Sequence, residues 1–252
     1  MKTVQPKYFY VEETHNLDAP SKIVPLVLDL VPVKSVIDVG CGTATFLKIF
    51  RDAGVQDILG LDGHWVNRDM LLKNIQKSEF MEVDLERLQY EEVNRTYDLA
   101  ICLEVAEHLQ PEASDLLVKN LTRFSKRILF SAAVPFQGGI NHVNEQWPDY
   151  WKEKFAKHGY RFYDVIRPKI WNDRGIPYWY KQNIFLVCRE EHAPAVNHAL
   201  TGAYDNSIHP DLYMLIASRL DKTENLELTA SVYLKMFLKK ILGRGRKKIK
   251  TG

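Results

Sequence analysis

Two carboxylates and an imidazole lie close together in the run Glu104-Val105-Ala106-Glu107-His108. Glu104, Glu107 and His108 stand at positions i, i+3 and i+4, which a helix would place on one face. Such a group is sufficient for general acid–base chemistry, or for most of the first shell of a divalent cation. A structural alternative stays open, in which the glutamates favour a helix N-terminus and the histidine packs in a polar niche.

Another histidine, His142, lies in a second polar run that extends from Gly138 to Trp147 and opens a predicted helix. Ligands of open α/β sheets bind beyond the carboxyl ends of the strands. Because both polar runs follow apolar, strand-like segments, we expect His142 to lie at the same sheet edge as His108. Without a metal, either histidine could act directly as a general base.

A glycine turn lies upstream of both runs. The strand-like segment from Ser35 to Val39 leads into Gly40 and Gly42, and a helix is predicted to follow. A strand, a glycine turn and a helix N-terminus form a nucleotide-binding corner, where glycine lets the backbone approach a ligand closely. Thr45 occupies the sixth position of the Gly-x-Gly-x-x-Gly fingerprint, which disfavours a nicotinamide dehydrogenase. A glycine turn without a nucleotide is the remaining alternative.

Two aspartates favour the nucleotide. Asp62 ends the apolar run that begins at Ile58, and Asp84 ends the run that begins at Phe80. A carboxylate after the second strand can accept hydrogen bonds from both ribose hydroxyls, and one after the third can accept one from the exocyclic amine of adenine.

The elements that must position these residues alternate as in a doubly wound α/β sheet. A leading helix is predicted over residues 18–31, ahead of Pro32, and another helix over 147–157. Strands are predicted to begin near residues 35, 57 and 79 and to cover 97–103, 127–134, 160–166 and 181–188. We divide the chain into an N-terminal cap (1–34), a catalytic domain (35–190) and a C-terminal extension (191–252).

Through roughly its first two thirds the chain resembles the class I S-adenosylmethionine-dependent methyltransferases. The resemblance implies a Rossmann-like, mostly parallel seven-stranded sheet closed by a hairpin with one antiparallel strand. It also implies that the Asp38 turn holds the methionine end of the cofactor, Asp62 the ribose and Asp84 the adenine. Ala44 stands where the family often has a third glycine. The cofactor-binding residues implied in this way are Asp38, Gly40, Gly42, Asp62, Gly63, Asp84 and Leu85.

The Glu-x-x-Glu-His motif is similar to that of two metal-dependent branches of this fold, the small-RNA 3′-terminal 2′-O-methyltransferases and the O-methyltransferases of ubiquinone synthesis. The similarity implies that Glu104, Glu107, His108 and His142 bind a divalent cation, Mn²⁺, Mg²⁺ or Co²⁺. The same similarity makes His108 and His142 the candidate catalytic residues.

A wider pattern resembles bacterial methyltransferases of surface-polysaccharide and other glycan synthesis. It includes the runs 142–148, 179–183 and 208–213. We therefore expect an O-methyltransferase that acts on a sugar hydroxyl of a glycan or glycan precursor. Two alternatives stay open, an RNA 3′-terminal ribose 2′-O-methyltransferase and a non-catalytic scaffold of a glycan assembly complex.

Composition and charge fit a cytoplasmic enzyme. The chain of 252 residues contains three cysteines without paired or metal spacing and no apolar run of membrane-spanning length. Its formal net charge is +2, but seven basic residues between 239 and 250 leave −5 on residues 1–238. This acidic body argues against nucleic acid as the partner.

The C-terminal tail has a different character. An apolar stripe at helical spacing runs from Ala230 to Ile241 and overlaps the start of the basic cluster. An amphipathic helix with basic residues predicts peripheral association with an anionic membrane at its inner face. A solvated basic end, or a stripe that packs on the body or on a second copy, is the alternative. The oligomeric state stays open.

Overall fold

The computed structural model describes residues 16–194, 206–224 and Leu234. The chain divides into two compact units, Met1–His209 and Pro210–Gly252. The domain limits predicted at residues 34 and 190 stay predictions.

The first unit contains a seven-stranded sheet with the order β3-β2-β1-β4-β5-β7-β6. Every neighbouring pair is parallel except those made by β7, which runs antiparallel to both β5 and β6. The predicted doubly wound, mostly parallel sheet is therefore confirmed. The strands are β1 (Ser35–Val39), β2 (Asp57–Asp62), β3 (Phe80–Glu82), β4 (Leu99–Leu103), β5 (Arg127–Ser131), β6 (Tyr160–Tyr163) and β7 (Phe185–Arg189).

Helices connect these strands. The predicted leading helix and the helix after the second polar run are both present, within one residue or two of the expected limits. The helices of the first unit are α1 (Asp18–Leu30), α2 (Thr45–Asp52), α3 (Arg68–Asn74), α4 (Tyr90–Val93), α5 (Ser114–Phe124), α6 (Pro148–Ala156), α7 (Arg167–Ile170) and α8 (Tyr178–Asn183).

Alternating strand residues form two hydrophobic cores, one on each face of the sheet. In β5, Leu129 belongs to the core that includes α1 and α2, whereas Ile128 and Phe130 belong to the core with α5 and α6. This alternation follows from the two-residue period of a strand. Each fully buried aliphatic or aromatic side chain contributes about 1.5–3 kcal/mol, so both layers hold the strand ends in place.

The structure corrects two local predictions. Glu104 does not share a helical face with Glu107 and His108, because its φ is +55° and only a 3-10 turn, Ala106–His108, follows. The Glu104 amide instead donates to the carbonyl of Ser131 at 3.1 Å, which continues the pairing of β4 with β5. The strand expected over 181–188 begins only at Phe185, since residues 181–183 belong to α8.

The second unit is described as one helix, α9 (Pro210–Glu224), and Leu234, which is helical and exposed. The rest of the predicted apolar stripe and all of the basic cluster lie outside the described residues. No helix among the described residues is long and apolar enough to cross a membrane. Peripheral membrane association and a cytoplasmic location stay predictions.

Candidate active site

The glycine turn after β1 packs against the turn after β4. Gly40 and Gly42 have φ values of +86° and +54°, and a Cβ on Gly40 would lie 2.4 Å from a methyl group of Val105. Glycine is therefore required at position 40 by this packing and by its backbone conformation. The same packing links the predicted cofactor turn to the segment that carries Glu104 and Glu107.

Ala44 keeps the backbone conformation that suits a third glycine. It is fully buried with φ +62° and immediately precedes α2. A left-handed conformation costs a residue with a Cβ roughly 1–2 kcal/mol, so the departure from the family pattern is tolerated with moderate strain.

Asp62 is held at the end of β2 by two backbone amides. Gly42 donates to its Oδ2 at 2.7 Å and Gly63 to its Oδ1 at 2.6 Å. Burial raises the pKa of Asp62, and hydrogen bonds from these amides and from the Trp65 side chain partly offset that effect. A Cβ on Gly63 would lie 2.3 Å from the Trp65 ring, so the indole lies against Gly63, beside the carboxylate.

Asp38 lies in the same buried environment. Burial, together with the nearby Asp62 carboxylate, raises its pKa to about 8, so Asp38 is largely protonated at neutral pH. A cationic ligand at the glycine turn would favour the ionised form, so the two carboxyl groups form a recess that suits such a ligand. By contrast, Asp84 is exposed and accepts a hydrogen bond from the Glu86 amide at 3.1 Å, while Leu85 is buried in the core.

Three of the four predicted metal ligands meet beyond β4 and β5. Glu107, His108 and His142 each offer a ligand atom, and these atoms all lie within 4.8 Å of one another. The two imidazoles meet edge to face with ring centroids 4.7 Å apart. A carboxylate with two imidazoles is a donor set that suits borderline divalent cations.

Glu107 is the residue of this group that most needs a positive partner. It is fully buried, and neither carboxylate oxygen accepts a hydrogen bond of normal geometry from any described residue. Burial raises its pKa well above the usual range, and the neighbouring Glu104 raises it further. A buried carboxylate without compensation is costly, so the site fits a bound cation.

Glu104, the fourth predicted ligand, lies beside this group with its carboxylate already engaged. The amide of Gln137 donates to Oε2 at 2.9 Å, and the amide of Asn183 donates to Oε1 at 3.0 Å. Burial raises the pKa of Glu104, and these two amides and Ser131 oppose the increase. The structure therefore places Glu104 next to the Glu107 cluster and outside the set of three.

His142 is oriented by Glu145, which the sequence analysis did not assign. Nδ1 of His142 lies 3.1 Å from Oε1 of Glu145, and the same carboxylate accepts from the amides of Gly138 at 2.6 Å and Phe136 at 2.9 Å. Burial alone would raise the pKa of Glu145, but these hydrogen bonds lower it overall.

The loop that carries His142 is pinned to the turn that carries Glu107. The amides of Val143 and Asn144 donate to the Glu107 carbonyl at 2.9 and 3.0 Å. The buried side chain of Asn144 donates to Oγ of Ser114 at 3.0 Å. Backbone hydrogen bonds thus bring the second polar run to the first.

The structure shows contacts of several polar residues that the sequence did not predict. Arg167 is fully buried in an ion pair with Asp164, which its local sequence does not indicate. Asn183 and Gln137 gave no local signal, because their role depends on Glu104, which lies 79 and 33 residues away. Glu145 had one signal, its position three residues after His142.

Comparison with known proteins identifies the family and the fold of the chain. A family profile described as "Methyltransferase domain" matches residues 13–165. No curated protein matches the chain by sequence. CalS10, an amino pentose methyltransferase from Micromonospora echinaspora involved in calicheamicin biosynthesis, superposes with a TM-score of 0.50 and 14% identity, over 72% of this chain and 98% of its own.

Two further solved structures are similar at slightly lower scores. An O-methyltransferase family protein from Burkholderia thailandensis has a TM-score of 0.49 and 14% identity over 71% of this chain, which spans 56% of that protein. Magnesium protoporphyrin IX methyltransferase from Synechocystis PCC 6803 has a TM-score of 0.49 and 18% identity, over 75% of this chain and 89% of its own. At these identities the similarity concerns the fold.

Proposed function

The chain belongs to the methyltransferase domain family whose profile covers its residues 13–165, and we propose that it transfers a methyl group from S-adenosylmethionine to a sugar hydroxyl. The acceptor in this proposal is a glycan or a glycan precursor. The observation that carries the proposal is the group formed by Glu107, His108 and His142 beside the predicted cofactor turn.

The cofactor half has groups suited to S-adenosylmethionine. The ligand carries an ammonium and a sulfonium, and their positive charges would favour the ionised forms of the buried Asp38 and Asp62 carboxyl groups next to the Gly40 turn. Asp62 accepts hydrogen bonds from the Gly42 and Gly63 amides and from the Trp65 side chain. Its two oxygens can accept about four hydrogen bonds in total, so capacity remains for a ribose hydroxyl. Both sides of the interaction are therefore chemically matched.

The acceptor half has groups suited to a hydroxyl. The methyl group on a sulfonium is already activated, so the protein must mainly align the acceptor oxygen and remove its proton. As that oxygen bonds to the methyl carbon, the carbon–sulfur bond breaks with its electron pair on sulfur, and the hydroxyl proton passes to a base. His108 or His142 is the candidate base.

A divalent cation fits the same group, with Glu107, His108 and His142 as its ligands. When bound, it would orient two neighbouring hydroxyls and lower the pKa of the one that is methylated. The support for this part of the proposal is the fully buried Glu107 carboxylate, which has no hydrogen-bond partner of normal geometry among the described residues, together with two imidazoles within 4.8 Å.

A buried side-chain oxygen, Oδ1 of Asn183, favours a substrate that carries several hydroxyl groups. Asn183 donates through Nδ2 to both oxygens of Glu104, at 3.0 and 3.3 Å. Because a carboxylate oxygen cannot donate, these contacts fix which end of the Asn183 amide is the NH₂ group and which is Oδ1. Its Oδ1 is buried without a hydrogen-bond partner among the described residues. Buried polar atoms nearly always have partners, and a substrate hydroxyl would supply the missing donor.

The test is methyl transfer from labelled S-adenosylmethionine to lipid-linked or nucleotide-linked sugars, with a short RNA ending in a free ribose as the competing acceptor. We expect label in the sugar, loss of turnover with chelator, and restoration by Mn²⁺ or Co²⁺ at least as well as by Mg²⁺. His142→Ala should be inactive, whereas His158→Ala, at an exposed histidine after α6, should be fully active.

Three results would contradict parts of this proposal. Label only in RNA would replace the sugar with a terminal ribose. Full turnover in excess chelator, with no metal in the purified protein, would remove the cation and leave a histidine base. Cofactor binding without transfer to any acceptor of either class would favour the scaffold.

A further inference from the structure

We infer that Glu145 is a positioning residue that fixes the tautomer of His142, with the proton on Nδ1 and the lone pair on Nε2. The chemical use of that lone pair rests on the proposed function. The tautomer itself is a property of the protein and can be measured without cofactor or acceptor.

The hydrogen bonds around Glu145 determine which atom donates. The Glu145 carboxylate accepts from two backbone amides, those of Phe136 and Gly138, which can only donate. An ionised carboxylate accepts only, so the third contact, 3.1 Å from Oε1 of Glu145 to Nδ1 of His142, requires the proton on Nδ1. A neutral His142 then has its lone pair on Nε2.

The other side of the ring is equally restricted. A Cβ on Gly139 would lie 2.2 Å from Nε2 of His142, so the ring lies directly over a residue without a side chain. Asn141, the residue before His142, has φ +61°, and the amide of Val143, the residue after it, donates to the Glu107 carbonyl. The ring is therefore held through Glu145, through Gly139 and through its own backbone.

This arrangement makes Nε2 the nitrogen of His142 that can bind a cation or accept a proton. Whether His142 binds a cation or accepts the proton of the acceptor hydroxyl, the only lone pair available to do so is on Nε2. If Nε2 takes that proton, the imidazolium that forms lies beside the Glu145 carboxylate, which stabilises it. Residues that orient a ligating histidine typically change metal affinity or activity 10–100-fold when they are replaced.

The experiment is a long-range ¹H–¹⁵N correlation spectrum of the metal-free, full-length protein at a pH where His142 is neutral. We expect the ¹⁵N shifts of His142 to show a protonated Nδ1 and an unprotonated Nε2. Glu145→Leu, which removes the acceptor for the Nδ1 proton, should shift the population toward Nε2–H and lower activity 10–100-fold. Glu153→Leu, at an exposed glutamate of α6, is the matched control and should change neither.

A wild-type His142 protonated on Nε2 would overturn the inference, and so would a Glu145→Leu spectrum with an unchanged tautomer. The wild-type measurement stands even if Glu145→Leu does not fold. Failure of sugar methylation in the activity assay, with the Nδ1–H tautomer observed, would reject the proposed function and leave this inference in place.

Discussion

Asp164 and Glu107 are both almost completely inaccessible to solvent, yet their surroundings are opposite. Asp164 receives a two-pronged contact from Arg167, at 3.0 Å through Nε and 2.6 Å through Nη2. The same guanidinium donates to the Gln182 carbonyl at 2.9 Å and lies 4.2 Å from the centre of the Phe185 ring. Glu107 has Glu104, another carboxylate, as its neighbour and no normal hydrogen bond among the described residues.

The contrast is between a structural site and the proposed functional one. The charges at Asp164 and Arg167 cancel and their hydrogen bonds are made within the protein, so this site does not need a ligand. The Glu107 carboxyl group has no hydrogen-bond partner of normal geometry in the described part of the chain. A protein keeps such a buried group where a ligand or a reaction uses it.

Gln182 and Asn183, which are adjacent in α8, repeat this contrast on a smaller scale. Gln182 donates to the Ser207 carbonyl and accepts from the His209 amide, both at 2.5 Å. Asn183 binds Glu104, and its Oδ1 is buried without a hydrogen-bond partner in the described part of the chain. One residue secures the chain segment 206–209, whereas the other faces the candidate site.

Removal of the positive partner from the structural site should have the largest effect. Arg167→Met leaves Asp164 charged and buried, so the free energy of unfolding should fall by about 3–5 kcal/mol. Chemical denaturation measures it. Arg161→Met, which breaks an exposed pair with Glu190, is the control and should cost less than about 1 kcal/mol. A small loss for Arg167→Met would erase the contrast between the two sites.

Neutralisation of the functional site should instead affect activity. Glu107→Gln replaces a buried carboxyl group, whose pKa is raised by burial and by Glu104, with a neutral amide. Turnover should therefore fall about 100-fold while the metal-free protein unfolds no more easily than the wild type. Steady-state kinetics and thermal unfolding measure the two quantities. Glu112→Gln, at an exposed position, should change neither. Marked destabilisation without loss of turnover would make Glu107 a structural residue.

Asp38, one of the predicted cofactor-binding residues, should make the stability of the protein depend on pH. Its native pKa of about 8 lies above its ordinary value of 3.8, so the native state binds more protons than the unfolded state between these values. Stability should therefore fall as pH rises, by about 2 kcal/mol between pH 6 and pH 8. Asp38→Asn should flatten this dependence in denaturation series without cofactor, whereas Asp69→Asn, at an exposed site on α3, should leave it as in the wild type.

The smallest effect should come from Gln182→Met, which removes two hydrogen bonds to segment 206–209. Because that backbone can bind water once released, the loss of unfolding free energy should be about 1 kcal/mol, with unchanged affinity for S-adenosylhomocysteine. Denaturation and calorimetry measure these quantities, with Gln56→Met at an exposed position as the reference. A large drop in cofactor affinity would place Gln182 with the functional residues.

Most of the fold was predictable because its signals are local. Strands β1, β2 and β3 begin within one residue of the predicted positions, since short apolar runs between turn residues mark buried parallel strands. The strand predicted at 181–188 was partly wrong because Lys181, Gln182 and Asn183 are buried polar residues. Their burial depends on partners elsewhere in the chain, which local patterning cannot show.

The sequence by itself determined which acids and glycines follow which strands, and therefore that one sheet edge collects Asp38, Asp62, Glu107, His108 and His142. That result needs only strand order and the rule that ligands bind at the carboxyl ends. Tertiary structure alone decided the partners of these groups. Glu104 is held by amides 33 and 79 residues away, and Glu145 is held by two loop amides that a strained backbone brings into place. A hydrogen bond joins atoms about 3 Å apart in space, and residue spacing along the chain does not show which distant residues will come that close.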